Sequence, residues 1–499
     1  MTSLGSARLL ALAVAVVVLL AAYAAVPAKA DAEPPASAER SVARPNIVLI
    51  TTDDQTLAEL RWMPQTRRLL GDAGVRFTDF LANHPLCCPS RAQILTGQYA
   101  QNNHVLTNGP RWGGYDRFEP ATALPVWLQN AGYTTGLVGK YLNLYDETDG
   151  PEVGWDRWNP TVDGLYTYVG FTQYDGAALT TPGGHQTDHV SDWSADFIAQ
   201  QAPAAEPFFL WSSYVAPHSV CYSGQERLCS EPPVPEDEDA HRFSQVWPPF
   251  LDDPAYDRGT RKRERPTLDG QGRPDLVEQV ELFRARLRSL AGVDRAVART
   301  VGALSAVGVL DETVVIFTSD NGYLFGEHRF SGKDVPFDEA LRVPLLVRGP
   351  DVSPGAVATT PAAGVDLAPT IAELAGATPM VAVDGRSLVP AFAGGRTARD
   401  RTVLVQGGVT GPDELNRVWA YRGVRTKRYT YVRYTRNGGI ELYDRRRDPH
   451  ELVNVARDPA YRKVRRELLR RLRLLGPCAG ASCNRAFGPV PGPVRKPRR

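Results

Sequence analysis

Two residue pairs, Asp53-Asp54 and Asp320-Asn321, offer hard oxygen donors, and each follows a short apolar run of the kind that forms a buried strand. An open parallel sheet binds ligands beyond the carboxyl ends of its strands, so the residues that follow each strand are where chemistry is expected. Asn46-Ile-Val-Leu-Ile-Thr-Thr52 leads into Asp53-Asp54, and residues 134–138 lead into Gly139-Lys140. Residues 207–213 lead to Pro217-His218, and Thr313-Val-Val-Ile-Phe-Thr318 leads to Asp320-Asn321. Asp53, Asp54, Asp320 and the amide oxygen of Asn321 suit Ca²⁺ or Mg²⁺ better than zinc, which takes His or Cys. Either pair alone reads as an ordinary turn or cap. Both pairs at the ends of two core strands read as a metal site, with Lys140 and His218 on the same edge.

The segment Cys87-Cys88-Pro89-Ser90-Arg91 is the second feature. Pro89 suits the first turn of a helix that continues through Ala92, Ile94 and Leu95 to Gly97. A side chain just ahead of it sits at a helix N-terminus, where backbone N–H groups favour an anion, and Arg91 adds a charged donor. Two buried thiols before a helix are the alternative. The chain has 6 cysteines. Cys221 with Cys229, and Cys478 with Cys483, are each spaced for a local disulfide, although spacing does not establish connectivity. Adjacent cysteines rarely bond to each other, so Cys87 and Cys88 need another explanation.

These residues need a scaffold, and the pattern supplies one. Further elements are a helix over 64–73 ended by Gly74, a long amphipathic helix carrying Leu276, Val280, Phe283, Leu287 and Leu290, and a strand at Leu345 and Leu346. Strands alternating with helices predict an α/β fold with a large, mostly parallel sheet flanked by helices. From about residue 400, short strands at 402–406, 417–422 and 429–434 and a helix over 461–475 predict a smaller antiparallel α+β subdomain. Its arginines read as a solvated face. The expected organisation is a signal peptide at 1–30, a linker at 31–44, a catalytic domain at 45–400, the subdomain at 401–476, and a disulfide-containing, largely disordered tail at 477–499. Arg8, the apolar run 9–26 and Ala28-Lys29-Ala30 carry the signal-peptide reading and hence secretion; an uncleaved membrane anchor is the alternative. The chain has 499 residues, 43% of them apolar, and a formal net charge of +1, which allows a large core and gives no footing for nucleic acid.

Cys-x-Pro-Ser-Arg followed by Ala-x-x-Leu-Thr-Gly resembles the signature of type I sulfatases, with Cys88 at the variable position. The resemblance runs over most of residues 45–456. It takes in Asn46-Ile-Val-Leu-Ile with Asp53-Asp54, Gly139-Lys140-Tyr141-Leu142-Asn143, Ala216-Pro217-His218, Thr318-Ser319-Asp320-Asn321-Gly322-Tyr323, Arg342-Val343-Pro344, and Leu442-Tyr443-Asp444 with Asp448-Pro449. The double cysteine and Gly-Lys-Tyr-Leu-Asn look most like the branch of N-acetylglucosamine-6-sulfatases and extracellular heparan endosulfatases.

The resemblance implies an alkaline-phosphatase-like fold and a secreted sulfuric ester hydrolase acting on a sulfated carbohydrate, such as 6-sulfated N-acetylglucosamine. It implies that Cys87 is converted to formylglycine by a formylglycine-generating enzyme. It also implies that Asp53, Asp54, Asp320, Asn321 and the modified Cys87 hold Ca²⁺ in preference to Mg²⁺. Arg91 then orients the modified residue, Lys140 and Lys333 bind sulfate oxygens, and His218 contacts the sulfate or protonates the leaving oxygen. His328 is a second candidate for the acid, and His104 a candidate for facing the substrate. Many arylsulfatases carry His two residues after the lysine matching Lys140; here that position is Leu142, as in the 6-sulfatase-like branch, which leaves the general acid open. Competing readings are a broad arylsulfatase, a phosphodiesterase or phosphonate hydrolase on the same scaffold, and an inactive calcium-dependent glycan-binding protein. The polar stretch 245–274 reads equally as a rim loop or a surface insertion.

Overall fold

The computed structural model describes residues 44–221, 229, 231–258, 274–394, 401–409 and 418–494. The expected signal peptide, all but the last residue of the linker, and much of the 245–274 stretch lie outside the described residues. No helix among the described residues is long and apolar enough to cross a membrane.

The Asn46–Thr52 strand lies at the centre of a ten-stranded sheet. It pairs in parallel with Phe208–Ser213 on one side and Thr313–Ser319 on the other. Thr134–Gly139 and Arg157–Asp163 extend the parallel core. Antiparallel pairs enter on either side of this core: Leu345–Arg348 runs against Thr313–Ser319, and Thr172–Asp175 against Arg157–Asp163, while Ala356–Ala358 closes one edge in parallel with Val75–Phe77. The strand expected at Leu345 and Leu346 is therefore present, and it reverses direction.

Burial on both faces explains why the central strands read as continuous apolar runs. Ile47, Leu49, Phe209, Trp211 and Ile316 point into one core with Ala92, Ile94, Trp127 and Ile371. Val48, Ile50, Leu210, Val315 and Phe317 point into another with Val190, Ile198, Val293 and Val297. Successive side chains alternate between faces, so one strand feeds both cores. The helices are Cys87–Thr96, Leu124–Asn130 and Leu367–Ala375 on the first face and Gln186–Gln201 and Leu276–Ala306 on the second. Each Leu or Ile buried in such a core contributes on the order of 2 kcal/mol. The 64–73 helix forms as Pro64–Thr66 continued by a π-helical turn, Arg67–Asp72.

The C-terminal sheet is antiparallel, in the order Val403–Gly408, Trp419–Arg425, Tyr429–Tyr434 and Ile440–Asp444. The last strand lacks a signal beyond Leu442-Tyr443 and was not among the expected elements. Arg462–Leu475 packs Val464, Leu468, Leu472 and Leu475 onto this sheet. Cys221–Cys229 and Cys478–Cys483 are disulfides. In the tail expected to be disordered, Gly488 accepts a hydrogen bond from Arg471 at 2.8 Å and Val494 N–H donates to Ala460 O at 2.9 Å.

Candidate active site

Beyond their carboxyl ends the central strands stay tied together. Asp53 N–H donates to Ala216 O, Asp320 N–H to Thr52 O, and Lys140 N–H to Ser213 O, at 3.2, 3.1 and 2.9 Å. Gly139 makes the last of these contacts possible. Its φ is +91°, and a Cβ there would lie 2.1 Å from Ser213 O. Asp54 sits at φ +70°, an uncommon conformation for a non-glycine residue. The turn aims two consecutive carboxylates into one buried space.

The Cys87–Thr96 helix brings its first residue to that space, with Leu86 extended as its cap and Gly97 closing it at φ +65°. The Cys87 thiol donates to Asp53 Oδ1 at 3.3 Å and accepts from Lys333 Nζ at 2.9 Å. Lys333 also donates to Asp54 Oδ1 at 2.5 Å. Lys140 Nζ pairs with Asp53 Oδ2. Arg91, one helical turn after Cys87, is fully buried; it donates to Asp320 Oδ2 at 2.8 Å, Ser213 Oγ at 2.7 Å and the Lys140 carbonyl at 3.0 Å. Three buried carboxylates thus face three cations, of which Arg91 and Lys140 are fully buried and Lys333 partly exposed, and losing a buried cation would leave an uncompensated buried charge.

The charges act on each other. Burial alone would raise Asp53, but Lys140, then His218, Lys333 and Arg91, hold it well below the usual carboxylate range. Burial and the Asp53 charge push Asp320 up to about 6, and Arg91 with two backbone N–H donors at Oδ1 keeps it ionised at neutral pH. Burial, and then Asp53, push the Cys87 thiol up to about 12. An unmodified Cys87 is therefore a protonated thiol and a poor nucleophile. Burial and Lys333 push His218 down to about 4. Its Nδ1 lies 2.7 Å from Ser219 O, which places the proton of the neutral ring there and turns Nε2 toward Asp54 Oδ2, 3.6 Å away.

The donor set fits a hard divalent cation. Asp53, Asp54, Cys87 and His218 present potential ligand atoms within 4.8 Å of one another. Asn321 is buried, its Nδ2 donates to Asp54 Oδ1 at 2.7 Å, and its Oδ1 has no hydrogen-bond partner. An orphaned amide oxygen beside two carboxylates costs free energy unless something positive takes it up. Asp53, Asp54, Asp320, Asn321, Cys87, Arg91, Lys140, His218 and Lys333 therefore converge. His104 and His328 lie elsewhere. His104 is exposed at the left-handed end of the Ala100–Asn103 helix. His328 is buried, stacked 4.0 Å from Phe337, with Nε2 3.8 Å from Glu339.

Sequence reasoning missed Tyr166, Ser213 and Arg286. The Tyr166 ring lies 4.4 Å from the His218 ring and 4.8 Å from Lys140 Nζ, and its hydroxyl accepts from Asn143 Nδ2 at 3.0 Å. Arg286 reaches from the long helix to the Asp54 carbonyl at 2.6 Å while paired with Glu59. Ser213 ends its strand, so the strand-end rule that found Lys140 would have reached it. Tyr166 and Arg286 carry no comparable signal.

Residues 45–377 match the sulfatase family model, and residues 326–476 match the model described as N-sulphoglucosamine sulphohydrolase, C-terminal. The chain is 33% identical to the extracellular sulfatase SULF-1 homolog of Drosophila melanogaster over 70% of this chain, and it spans only 31% of that relative's length. It is 30% identical to human N-acetylglucosamine-6-sulfatase, covering 88% of this chain and 86% of the human one. Among solved structures, BT4656 in complex with its substrate D-glucosamine-2-N,6-O-disulfate superposes with a TM-score of 0.71 at 24% identity, over 86% of this chain and 97% of that one, a likeness of fold.

Proposed function

The chain belongs to the sulfatase family, and from that premise we propose that it is an exported hydrolase releasing inorganic sulfate from a sulfated carbohydrate, with 6-sulfated N-acetylglucosamine as the substrate unit. The substrate follows the named activity of the human relative, which aligns along most of both chains. Export follows from the apolar run 9–26 and from the disulfides Cys221–Cys229 and Cys478–Cys483.

One observation carries the reading: Cys87 starts a helix, is held between Asp53 and Lys333, and is too protonated to act as a thiolate. Converted to formylglycine by a formylglycine-generating enzyme and then hydrated, it supplies the hydroxyl that attacks sulfur and a second hydroxyl whose deprotonation expels sulfate. Asp53, Asp54, Asp320 and Asn321, with the modified Cys87, would hold Ca²⁺, which lowers the hydroxyl pKa and polarises the sulfate.

The side chains divide the remaining work. With the carboxylates shared with a dication, Lys140, fully buried, and Lys333, partly exposed, are the donors left to offset charge on the anionic sulfate oxygens. Arg91 fixes Asp320 and the Lys140 backbone, so it positions the metal-binding edge and the lysine together. His218 presents an unprotonated Nε2 to the same space, so it contacts the substrate there as an acceptor and becomes the acid for the departing alcohol only after a proton is taken up at Nε2.

The experiment is the intact mass of the Cys87 peptide from exported protein, with sulfate release from 6-sulfated N-acetylglucosamine and phosphate release from a matched phosphate ester. A loss of about 18 Da against the thiol, from replacing SH and H by a carbonyl oxygen, with preferential sulfate release, supports the reading. An intact thiol in native exported protein, or preferential phosphate release, sinks it.

A further inference from the structure

The helix Arg462–Leu475 has the sequence RKVRRELLRRLRLL, with seven cationic side chains, one glutamate and a net charge of +6. The whole chain carries +1, so positive charge is concentrated on this element. The apolar residues Val464, Leu468, Leu472 and Leu475 face the C-terminal sheet. Four cations, Lys463, Arg466, Arg470 and Arg473, line a groove of about 520 Å³ together with Glu467, Leu469 and Pro491. All four are exposed. They fall at i, i+3, i+7 and i+10, one stripe of the helix, about 15 Å from end to end at 1.5 Å per residue.

A merely solvated face would mix its charges. Here the one acid, Glu467, is committed to its neighbours: it accepts from Arg470 at 2.7 and 2.8 Å and from Arg471 at 2.9 Å. Arg466 has Arg462 at i−4, Lys463 at i−3 and Arg470 at i+4, and like charges at these spacings destabilise a helix. The first turn holds no acid, so Arg462 and Lys463 also oppose the helix dipole. The arrangement costs stability, and packing of the buried face offsets that cost.

We propose that this groove docks a linear sulfated polysaccharide, holding the polymer whose units the active site hydrolyses. The occupant follows from charge complementarity and shape: a concave row of cations accommodates an extended polyanion. A membrane surface fits less well, because the helix keeps its main apolar face, Val464, Leu468, Leu472 and Leu475, against the sheet. The choice of polymer rests on the sulfatase reading; the existence of a polyanion groove does not.

The test is binding of fluorescent heparin oligosaccharides to the full chain at two salt concentrations, for the native protein and for the variant Lys463→Glu/Arg466→Glu/Arg473→Glu. The neutral variant Arg466→Gln/Arg473→Gln guards against misfolding, and thermal melts check both. The expected result is salt-sensitive binding that weakens about tenfold or more in the charge-reversed variant and less in the neutral one. Selectively desulfated heparin should bind more weakly, and sulfate release from the monosaccharide should be unchanged in both variants. Equal heparin binding by folded charge-reversed protein would overturn the proposal, as would tighter native binding to duplex DNA or to phosphatidylcholine–phosphatidylserine vesicles. Native protein that binds heparin through these residues but releases no sulfate from any substrate would refute the hydrolase reading and leave the groove standing.

Discussion

Lys333 Nζ lies 2.9 Å from the Cys87 sulfur while it donates to Asp54 Oδ1 at 2.5 Å, so one ammonium bridges the proposed nucleophile position and a carboxylate of the proposed metal site. Burial would lower this lysine, but Asp54, and then Cys87 and Asp53, raise it well above its ordinary value, so it is a permanent cation. Lys333→Ala is expected to lower kcat by about a hundredfold or more, because a donor aimed at developing charge is lost. Peptide mass spectrometry on the same protein should show formylglycine at the native level. A fall in conversion that tracks the fall in rate would place Lys333 in maturation instead.

Asn321 gives the second prediction. Its Oδ1 is buried without a partner beside Asp54, while its Nδ2 is engaged. Asn321→Ala should weaken Ca²⁺ binding by about 10–100-fold, the range seen when a ligand or its immediate support is lost. Chelation should lower the melting temperature of the native protein more than that of the variant, because a cation bound only by the folded state stabilises it by mass action. Calorimetric titration with Ca²⁺ and with Mg²⁺ measures both affinities. Identical Ca²⁺ affinity in native protein and variant would remove Asn321 from the site.

What could be read in advance follows a physical divide. Runs such as residues 46–52 and 313–319 are apolar because both faces of the sheet are buried, and the polar residues ending them stand out. That contrast made Asp53, Asp54, Lys140, Asp320 and Asn321 legible. Cys87, Arg91 and Lys333 entered through one motif and a resemblance. The direction of Leu345–Arg348 was hidden, since a strand of only four residues reads alike in either direction. Residues that reach the site from the side of an element were also hidden. Tyr166 belongs to a turn after the Arg157–Asp163 strand, and Arg286 to the buried face of a 31-residue helix. His104 and His328 failed to converge because a histidine's type carries no direction.

Tyr166 supplies the third prediction. Its ring lies against His218 and over Lys140, and Asn143 holds its hydroxyl. The ring face, not the hydroxyl, touches both groups, so Tyr166→Phe should retain most of the rate. Tyr166→Leu should lose about tenfold or more in kcat with a smaller change in KM, because it frees the imidazole and removes a cation–π contact of about 1 kcal/mol. Comparable losses in the two variants would assign the effect to the Asn143 hydrogen bond.

His84 ties the segment before Cys87 to the C-terminal sheet and sets a pH limit on stability. It is fully buried, its Nε2 accepts from Gly408 N–H at 3.3 Å, and its carbonyl accepts from Leu86 N–H at 2.8 Å. Burial pushes it down to about 3 from an ordinary value of 6.5. Only the neutral ring can accept at Nε2, so the folded state excludes the proton while the unfolded chain takes it up below 6.5. The unfolded state then binds more protons, and stability rises with pH through this window. The contribution is complete above about 6.5 and is lost as pH falls toward 3, with a slope of up to about 1.4 kcal/mol per pH unit. His84→Asn keeps an acceptor near Gly408 and does not titrate. It should be less stable than the native protein at pH 8 and lose less stability between pH 6.5 and 4. Denaturant melts of both proteins across that range give the difference directly. Parallel curves would mean that the folded state admits the proton at His84, and that the contact with Gly408 survives its charge.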